Sequence, residues 1–232
     1  MKKVLLLAAG LLLAKTGQNA VDPDDRPCFP RWQGRWEDYW KARSEVIRRA
    51  PRRRRQMEKE GELLFRSATT MDREAKQVLE RAMDLHSARW GRRVHGGSNM
   101  QRAQHRRRTH DMAQHFALCG ALRLDWLAWK GEVAALVLGA RSGDTWFFYW
   151  ATFDAAAGRY SPGNVLYMRL LEEAFSAGLK IADFMLGATP YKQLWTDEAL
   201  EITEVLQAGP SPVGKPPFYL LRSARRIKAW YS

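Results

Sequence analysis

The feature that most constrains this chain is a change of hydrophobic period near residue 121. Upstream, apolar residues recur at helical spacing. Downstream, short runs alternate or are wholly apolar, with tight turns between them. Leu122, Leu124 and Trp126 alternate with Arg123 and Asp125, and Lys130-Gly131 makes a turn. Val133–Ala140 is apolar on both faces, as in a central strand. Ser142-Gly143-Asp144 turns again into the aromatic run Thr145–Thr152. This pattern predicts an antiparallel meander. A helix over Pro162–Ala177 and a strand over Lys180–Leu186 then complete a crossover.

The first half supplies the helices. Trp36, Tyr39, Trp40 and Ile47 recur at helical spacing from about Arg35. Pro51 should kink or interrupt that helix, because it lacks a donor and clashes with the preceding turn. Gly61 is a helix stop, and Glu62–Ala68 reads as a first strand. Asp72 is an N-cap for a helix whose apolar face carries Ala75, Val78, Leu79, Ala82 and Met83, ending at Gly91. Ser98 is expected to cap a third helix reaching about Cys119. Leu200–Leu206 reads as a final strand, and Phe218–Tyr231 as a basic, aromatic tail helix. The expected fold is α+β in three layers (α/β/α), a mixed, mostly antiparallel central sheet flanked by helices. The expected divisions are an apolar segment and linker over 1–34, one domain over 35–208, and a linker with the tail helix over 209–232.

With 232 residues, 46% of them hydrophobic and 10 Trp, the chain can build a packed core. Its net charge of +13 sits largely at Arg48, Arg49, Arg52–Arg55, Arg92, Arg93 and Arg106–Arg108. Such a surface is either a solvated cationic face or an attractor of anions: RNA, acidic lipid or a phosphorylated cofactor. Cys28 and Cys119 show no metal spacing and no disulfide framework. His105, His110 and His115 fall five residues apart, about 140° around a helix, so they do not converge and no metal is expected. Met1-Lys2-Lys3 and the apolar run Val4–Ala14 allow three readings: a signal peptide, an interfacial anchor, or a core segment of a longer protein. The run is too short to span a bilayer.

The chemistry concentrates between residues 145 and 195. Ser161 is a favoured N-cap and Pro162 a favoured first helical residue, so the N–H groups of Gly163 and Asn164 are expected at the positive helix end, suited to phosphate. Trp150, on the aromatic strand, joins Ser161, Gly163 and Asn164 on the donor side. If the strands flanking the helix splay apart, an amide-bearing arm can fill the gap like an added strand. Asp183 is the one charge in an apolar strand; it orients an acceptor, assists proton removal or anchors a loop. Tyr191 is a candidate acid or oxyanion donor, and Lys192 a point charge for a carboxylate or phosphate. Trp195 and Asp154 are candidate substrate contacts.

These residues resemble the GNAT acyltransferase superfamily, and within it the branch of CelD/BcsL-like acetyltransferases and FemAB-like peptidyltransferases. The resemblance rests on Phe153-Asp154, Ser161-Pro162-Gly163, Gly178, Asp183-Phe184, Gly187, Tyr191-Lys192 and Trp195, with Ser44 and Arg89-Trp90 upstream. It covers about Trp36 to Leu206. It implies the GNAT acyl-CoA N-acyltransferase fold, with transfer of an acyl or aminoacyl group to an amine or hydroxyl. The implied donor is acetyl-CoA or another acyl-CoA, with aminoacyl-tRNA, held by the basic face, as the alternative. The implied acceptor is a small molecule or a glycan or peptidoglycan precursor. The expected location is the cytoplasm, peripheral to the inner membrane face with its anionic surface. Members of this branch often carry two such folds in tandem, which favours the core-segment reading of Val4–Leu13. The chain departs from standard members in its pyrophosphate loop: Arg159-Tyr160-Ser161-Pro162-Gly163 matches Gln/Arg-x-x-Gly-x-Gly/Ala only in part. A rival expectation is a non-catalytic or RNA-binding module on the same scaffold.

Overall fold

A computed structural model describes residues 34–90, 98–185, 189–196 and 198. The expectations for residues 1–33, Gly91, Gly187, Leu200–Leu206 and the tail helix lie outside them. The chain begins with three short helices, α1 (Trp36–Ala42), α2 (Glu45–Arg48) and α3 (Ala50–Glu60). Pro51 sits in the first turn of α3, so the interruption falls just ahead of it at Arg49. Gly61 closes α3, its N–H donating to the Met57 carbonyl at 3.1 Å. Then come β1 (Leu63–Ala68), α4 (Arg73–Trp90) and α5 (Ala103–Leu118). Asp72 caps α4 as expected: its Oδ1 accepts from the Ala75 N–H at 2.8 Å. Ser98 does not cap α5. Its hydroxyl accepts from the Met100 N–H and closes a single 3₁₀ turn, after which α5 starts at Ala103 with no side-chain cap.

β2 (Leu122–Trp129), β3 (Glu132–Ser142) and β4 (Thr145–Phe153) follow, then α6 (Pro162–Ser176), β5 (Ile181–Asp183) and α7 (Pro190–Gln193). The sheet order is β1-β2-β3-β4-β5. The first four strands are antiparallel, and β5 joins β4 in parallel after the α6 crossover. Lys130 (φ 54°) and Gly131 (φ 79°) are both left-handed, which matches the twist of the β2–β3 hairpin.

Two details of β4 matter for the site. Leu138 pairs with Trp150 while Gly139 pairs with Phe148, so Tyr149 is an extra, bulged residue. β5 pairs only with Thr145, Trp146 and Phe147; from Phe148 to Phe153 that edge of β4 has no strand partner among the described residues. β5 is shorter than the expected Lys180–Leu186 because Asp183 turns the chain. Its Oδ1 accepts the Met185 N–H at 2.6 Å, and Met185 adopts a left-handed φ of 62°.

The sheet buries both faces. On one, Leu122, Leu124, Trp126, Leu136 and Leu138 meet Leu79, Ala82 and Met83 of α4 and Ala113 of α5. On the other, Leu127, Val137, Trp146 and Phe148 meet Val165, Leu166, Leu170 and Leu171 of α6, with Ile47 and Met57 behind them. Each fully buried leucine contributes roughly 2 kcal/mol. This is the expected α/β/α arrangement. No described helix is long and apolar enough to cross a membrane.

Candidate functional site

Where β5 stops pairing with β4, the α6 face of the sheet carries an aromatic cluster. Phe148 packs against Tyr167 and Phe184 at 5.3 and 5.2 Å between ring centroids, and Tyr167 packs against Tyr191 and Trp195 at 5.8 and 5.7 Å. Trp195, a candidate substrate contact in the sequence, is fully buried here. Its carbonyl accepts the Tyr39 hydroxyl at 2.6 Å, tying the α7 segment to α1.

Tyr191 keeps 39% of its surface exposed, yet its hydroxyl is turned inward beside Tyr167 and the Trp195 indole. Burial, reinforced by Tyr167, holds this phenol well above its ordinary pKa of 10. It therefore keeps its proton and acts as a hydrogen-bond donor. Asp183 is 1% exposed, and burial raises its carboxyl to about 6 against the opposing pull of the Met185 N–H and Lys192. Its Oδ1 is committed to the loop, so of the roles read from the sequence the geometry favours the anchor. Lys192 Nζ donates to the Met185 carbonyl at 3.2 Å and braces the same loop.

The opposite side of the β4 edge is lined from α4. His86 packs against Trp150 in a tilted arrangement (5.6 Å between ring centroids), and its Nδ1 lies 2.7 Å from Ser98 Oγ. Burial, and secondarily Arg89, lowers its pKa, so the imidazole is neutral at neutral pH. Arg89, one turn on, lies over the Phe153 ring at 3.8 Å. The Thr152 hydroxyl is buried on this edge with no partner among the described residues.

The start of α6 differs from expectation. Ser161 adopts a left-handed backbone (φ 50°) and its side chain caps nothing. Its carbonyl instead accepts the N–H groups of Asn164 and Val165 at 2.9 and 3.2 Å, so the Asn164 N–H is not free for a ligand. Gly163 sits under Phe153; an added Cβ would lie 3.5 Å from its ring. Ser161 and Asn164 do line a cavity of about 90 Å³ with Val46, Arg49, Ala50 and Arg53, roughly the volume of three waters. Arg159 is not in it, because it pairs with Glu60 at 3.1 Å, and Tyr160 bonds the same carboxylate.

The structure places two more of the residues singled out in the sequence. Trp150 belongs to the α4 face of the sheet and does not join Ser161, Gly163 and Asn164. Asp154 caps the 3₁₀ segment Ala155–Tyr160 through the Ala156 N–H at 2.9 Å, which commits one of its carboxylate oxygens to a turn. The structure in turn adds His86, Thr152, the Tyr149 bulge and the pair Arg49/Arg53. Only the bulge had a readable signal, a glycine inside an apolar strand at 139. Among the described residues no group of three His, Cys, Asp or Glu could hold a metal.

A family model for the acetyltransferase (GNAT) domain matches residues 44–193. Among solved structures, FemX superposes with a TM-score of 0.55 at 9% identity, over 73% of this chain and 58% of that chain. A conserved protein of unknown function from Bacteroides thetaiotaomicron gives 0.49 at 13% identity, over 79% and 58%. L-PGS from Bacillus licheniformis gives 0.46 at 13%, over 70% and 45%. The chain thus spans less than two thirds of the length of these structures. Among curated proteins, none matches the chain. With the family match running across residues 44–193, most of its length, the chain belongs to the acetyltransferase (GNAT) domain family.

Proposed function

We propose that this GNAT domain moves an acyl or aminoacyl group from a thioester or ester donor to an amine or hydroxyl. In this reading it serves the CelD/BcsL-like branch in envelope or polysaccharide biosynthesis, at the cytoplasmic face of the inner membrane. The acceptor is a small molecule or a glycan or peptidoglycan precursor. The observation that carries the reading is the edge of β4, which leaves β5 after three residue pairs and bulges two residues later at Tyr149.

Among the described residues the Phe148–Phe153 edge of β4 has no strand partner, so it offers backbone groups to the amides of a pantetheine arm, as a sheet edge accepts a strand. The bulge re-aims the backbone at the point where the thioester carbonyl would arrive, so its N–H can bond the developing oxyanion. The acceptor attacks the carbonyl carbon, the tetrahedral oxyanion collapses, and the carbon–sulfur bond breaks. Neutral His86 is the described group suited to take the acceptor's proton and pass it to the leaving thiolate. Tyr191 would steady the oxyanion or thiolate as a donor once its hydroxyl, turned inward beside Tyr167, rotates to the β4 edge. Full proton transfer from a phenol above 10 to a thiolate whose thiol titrates near about 8.5 runs uphill. Arg49 and Arg53 beside the α6 start would hold the donor's phosphates.

The distribution of arginines favours an acyl-CoA donor over aminoacyl-tRNA. Arg54 is engaged by Glu58, and Arg106 by Glu80 and Asp84, which lowers the free charge of the basic face. The test is acyl-CoA turnover, read as thiol release with an amine panel. Tyr191→Phe should lower kcat about 100-fold with an unchanged melting temperature. Unchanged turnover removes Tyr191 from the mechanism. Salt-sensitive RNA binding without stabilisation by acyl-CoA would replace this reading with the RNA module.

A further inference from the structure

Arg89 reaches from one face of the sheet to the other around the edge of β4. It is rooted on α4, one turn after His86, and α4 covers the face that carries Leu136, Leu138 and Trp150. Phe153 packs on the other face, with Phe148 and the buried residues of α6. Yet the Arg89 guanidinium lies over the Phe153 ring at 3.8 Å and over the Trp90 ring at 4.7 Å. The crossing falls where β4 has no strand partner among the described residues.

The guanidinium thus stands between the two groups suited to the chemistry. Its positive charge lowers His86 on one side and opposes the rise of Tyr191 on the other, so both lie within its electrostatic reach. Arginine keeps that charge at any working pH. Arg89 is half-buried, and the rings against it displace water that would otherwise screen the charge. Rings stack on the flat face of a guanidinium, whereas its N–H donors point outward in the plane, in the fork that matches a carboxylate. The Thr152 hydroxyl, one residue before Phe153, is a further donor with no partner among the described residues.

We propose that Arg89 binds a substrate carboxylate at the β4 edge, beside the reacting carbonyl, and so selects an anionic substrate. This rests on the acyl-transfer reading and adds the substrate class. A single fixed positive charge beside Trp90 and Phe153 balances a monoanion; a phosphate dianion there would keep a charge without a partner. Two sources share this chemistry. One is the acceptor, an amino acid whose carboxylate sits on Arg89 while its amine faces His86. The other is the acyl group, when it ends in a carboxylate as a succinyl group does.

The experiment measures kcat/KM by thiol release with the full chain. The acceptor arm pairs glycine, L-alanine, L-phenylalanine and L-lysine with their amides, using acetyl-CoA. The donor arm pairs succinyl-CoA with propionyl-CoA, using the amides as acceptors. Wild type should prefer the carboxylate-bearing member in one arm, and that arm names the source. Arg89→Gln should lower the preference about 10- to 150-fold, the range of a hydrogen bond to a charged group. Arg89→Lys, which keeps the charge without the fork, should restore part of it. A merely structural role would instead lower both members of a pair alike, and preserved ratios in folded Arg89→Gln overturn the proposal. Should that variant fail to fold, a wild type that favours neither carboxylate-bearing member overturns it. Turnover of the neutral substrates alone overturns the subsite and leaves the transferase reading standing. Calorimetric binding of the amino acids that is lost in Arg89→Gln, with no turnover of any thioester, does the reverse.

Discussion

Replacing Gly139 by alanine tests whether the β4 bulge holds the site open. A Cβ at this position would overlap the Phe147 carbonyl oxygen outright and lie 3.4 Å from both the Phe147 carbonyl carbon and Trp146 Nε1. Two of these three neighbours are backbone atoms of the adjacent strand, so no side-chain rotation can relieve the clash. β3 and β4 must separate by about 1 Å to restore ordinary contact. That separation lengthens the flanking hydrogen bonds beyond useful range. One or two lost ladder bonds at about 1 kcal/mol each, plus overpacking of about 1–3 kcal/mol, give roughly 2–4 kcal/mol. For a domain of this size that lowers the melting temperature by about 5–15 °C. Because Gly139 abuts the bulge and the last residue paired with β5, thioester turnover should fall more than stability predicts. Thermal unfolding and thiol release on the same sample read both effects. A melting temperature within about 2 °C of the wild type, with normal turnover, would refute the reasoning.

Two further outcomes follow from buried charges. Asp183 titrates at about 6 in the fold against 3.8 as a free group, so between about pH 4 and 6 the folded state binds more protons than the unfolded. Its contribution to stability therefore falls as pH rises through that window, by roughly 3 kcal/mol in total, and is flat above it. Asp183→Asn keeps an acceptor for the Met185 N–H and should remove about half of the slope in a pH series of denaturant midpoints, the rest belonging to Asp125, which burial also raises to about 6; an unchanged slope assigns it to other groups. Arg123 bonds Asp125 and Glu173, each at 2.9 Å, and lies 4.3 Å over the Trp146 ring. Arg123→Met should cost about 3–5 kcal/mol by leaving Asp125, 2% exposed, as a buried unpaired carboxylate. Adding Asp125→Asn should recover part of that loss, and no recovery in urea melts would show that the cost lies in the cation–π packing instead.

The strands, their order along the chain and the helices between them were legible in the sequence, because each depends on local patterning. The alternation at Leu122–Trp126, the doubly apolar run Val133–Ala140 and the cap at Asp72 each name their element with no knowledge of the rest. Ser161 was misread because its side chain suits a cap while its left-handed backbone makes the carbonyl do that work. Asp183 and Asp154 were legible as unusual charges, but only the fold shows one oxygen of each spent on a turn. Trp195 carries no local mark of burial; Tyr39 and Tyr167, distant in sequence, enclose it. By itself the sequence determined which segments are strands and helices and that a parallel crossover follows the meander. Tertiary structure alone decided where β4 parts from β5, which face His86 and Arg89 line, and that Arg49 and Arg53 meet the α6 start. Secondary structure follows from neighbours within a few residues, whereas a site is made by groups that only long-range packing brings within reach.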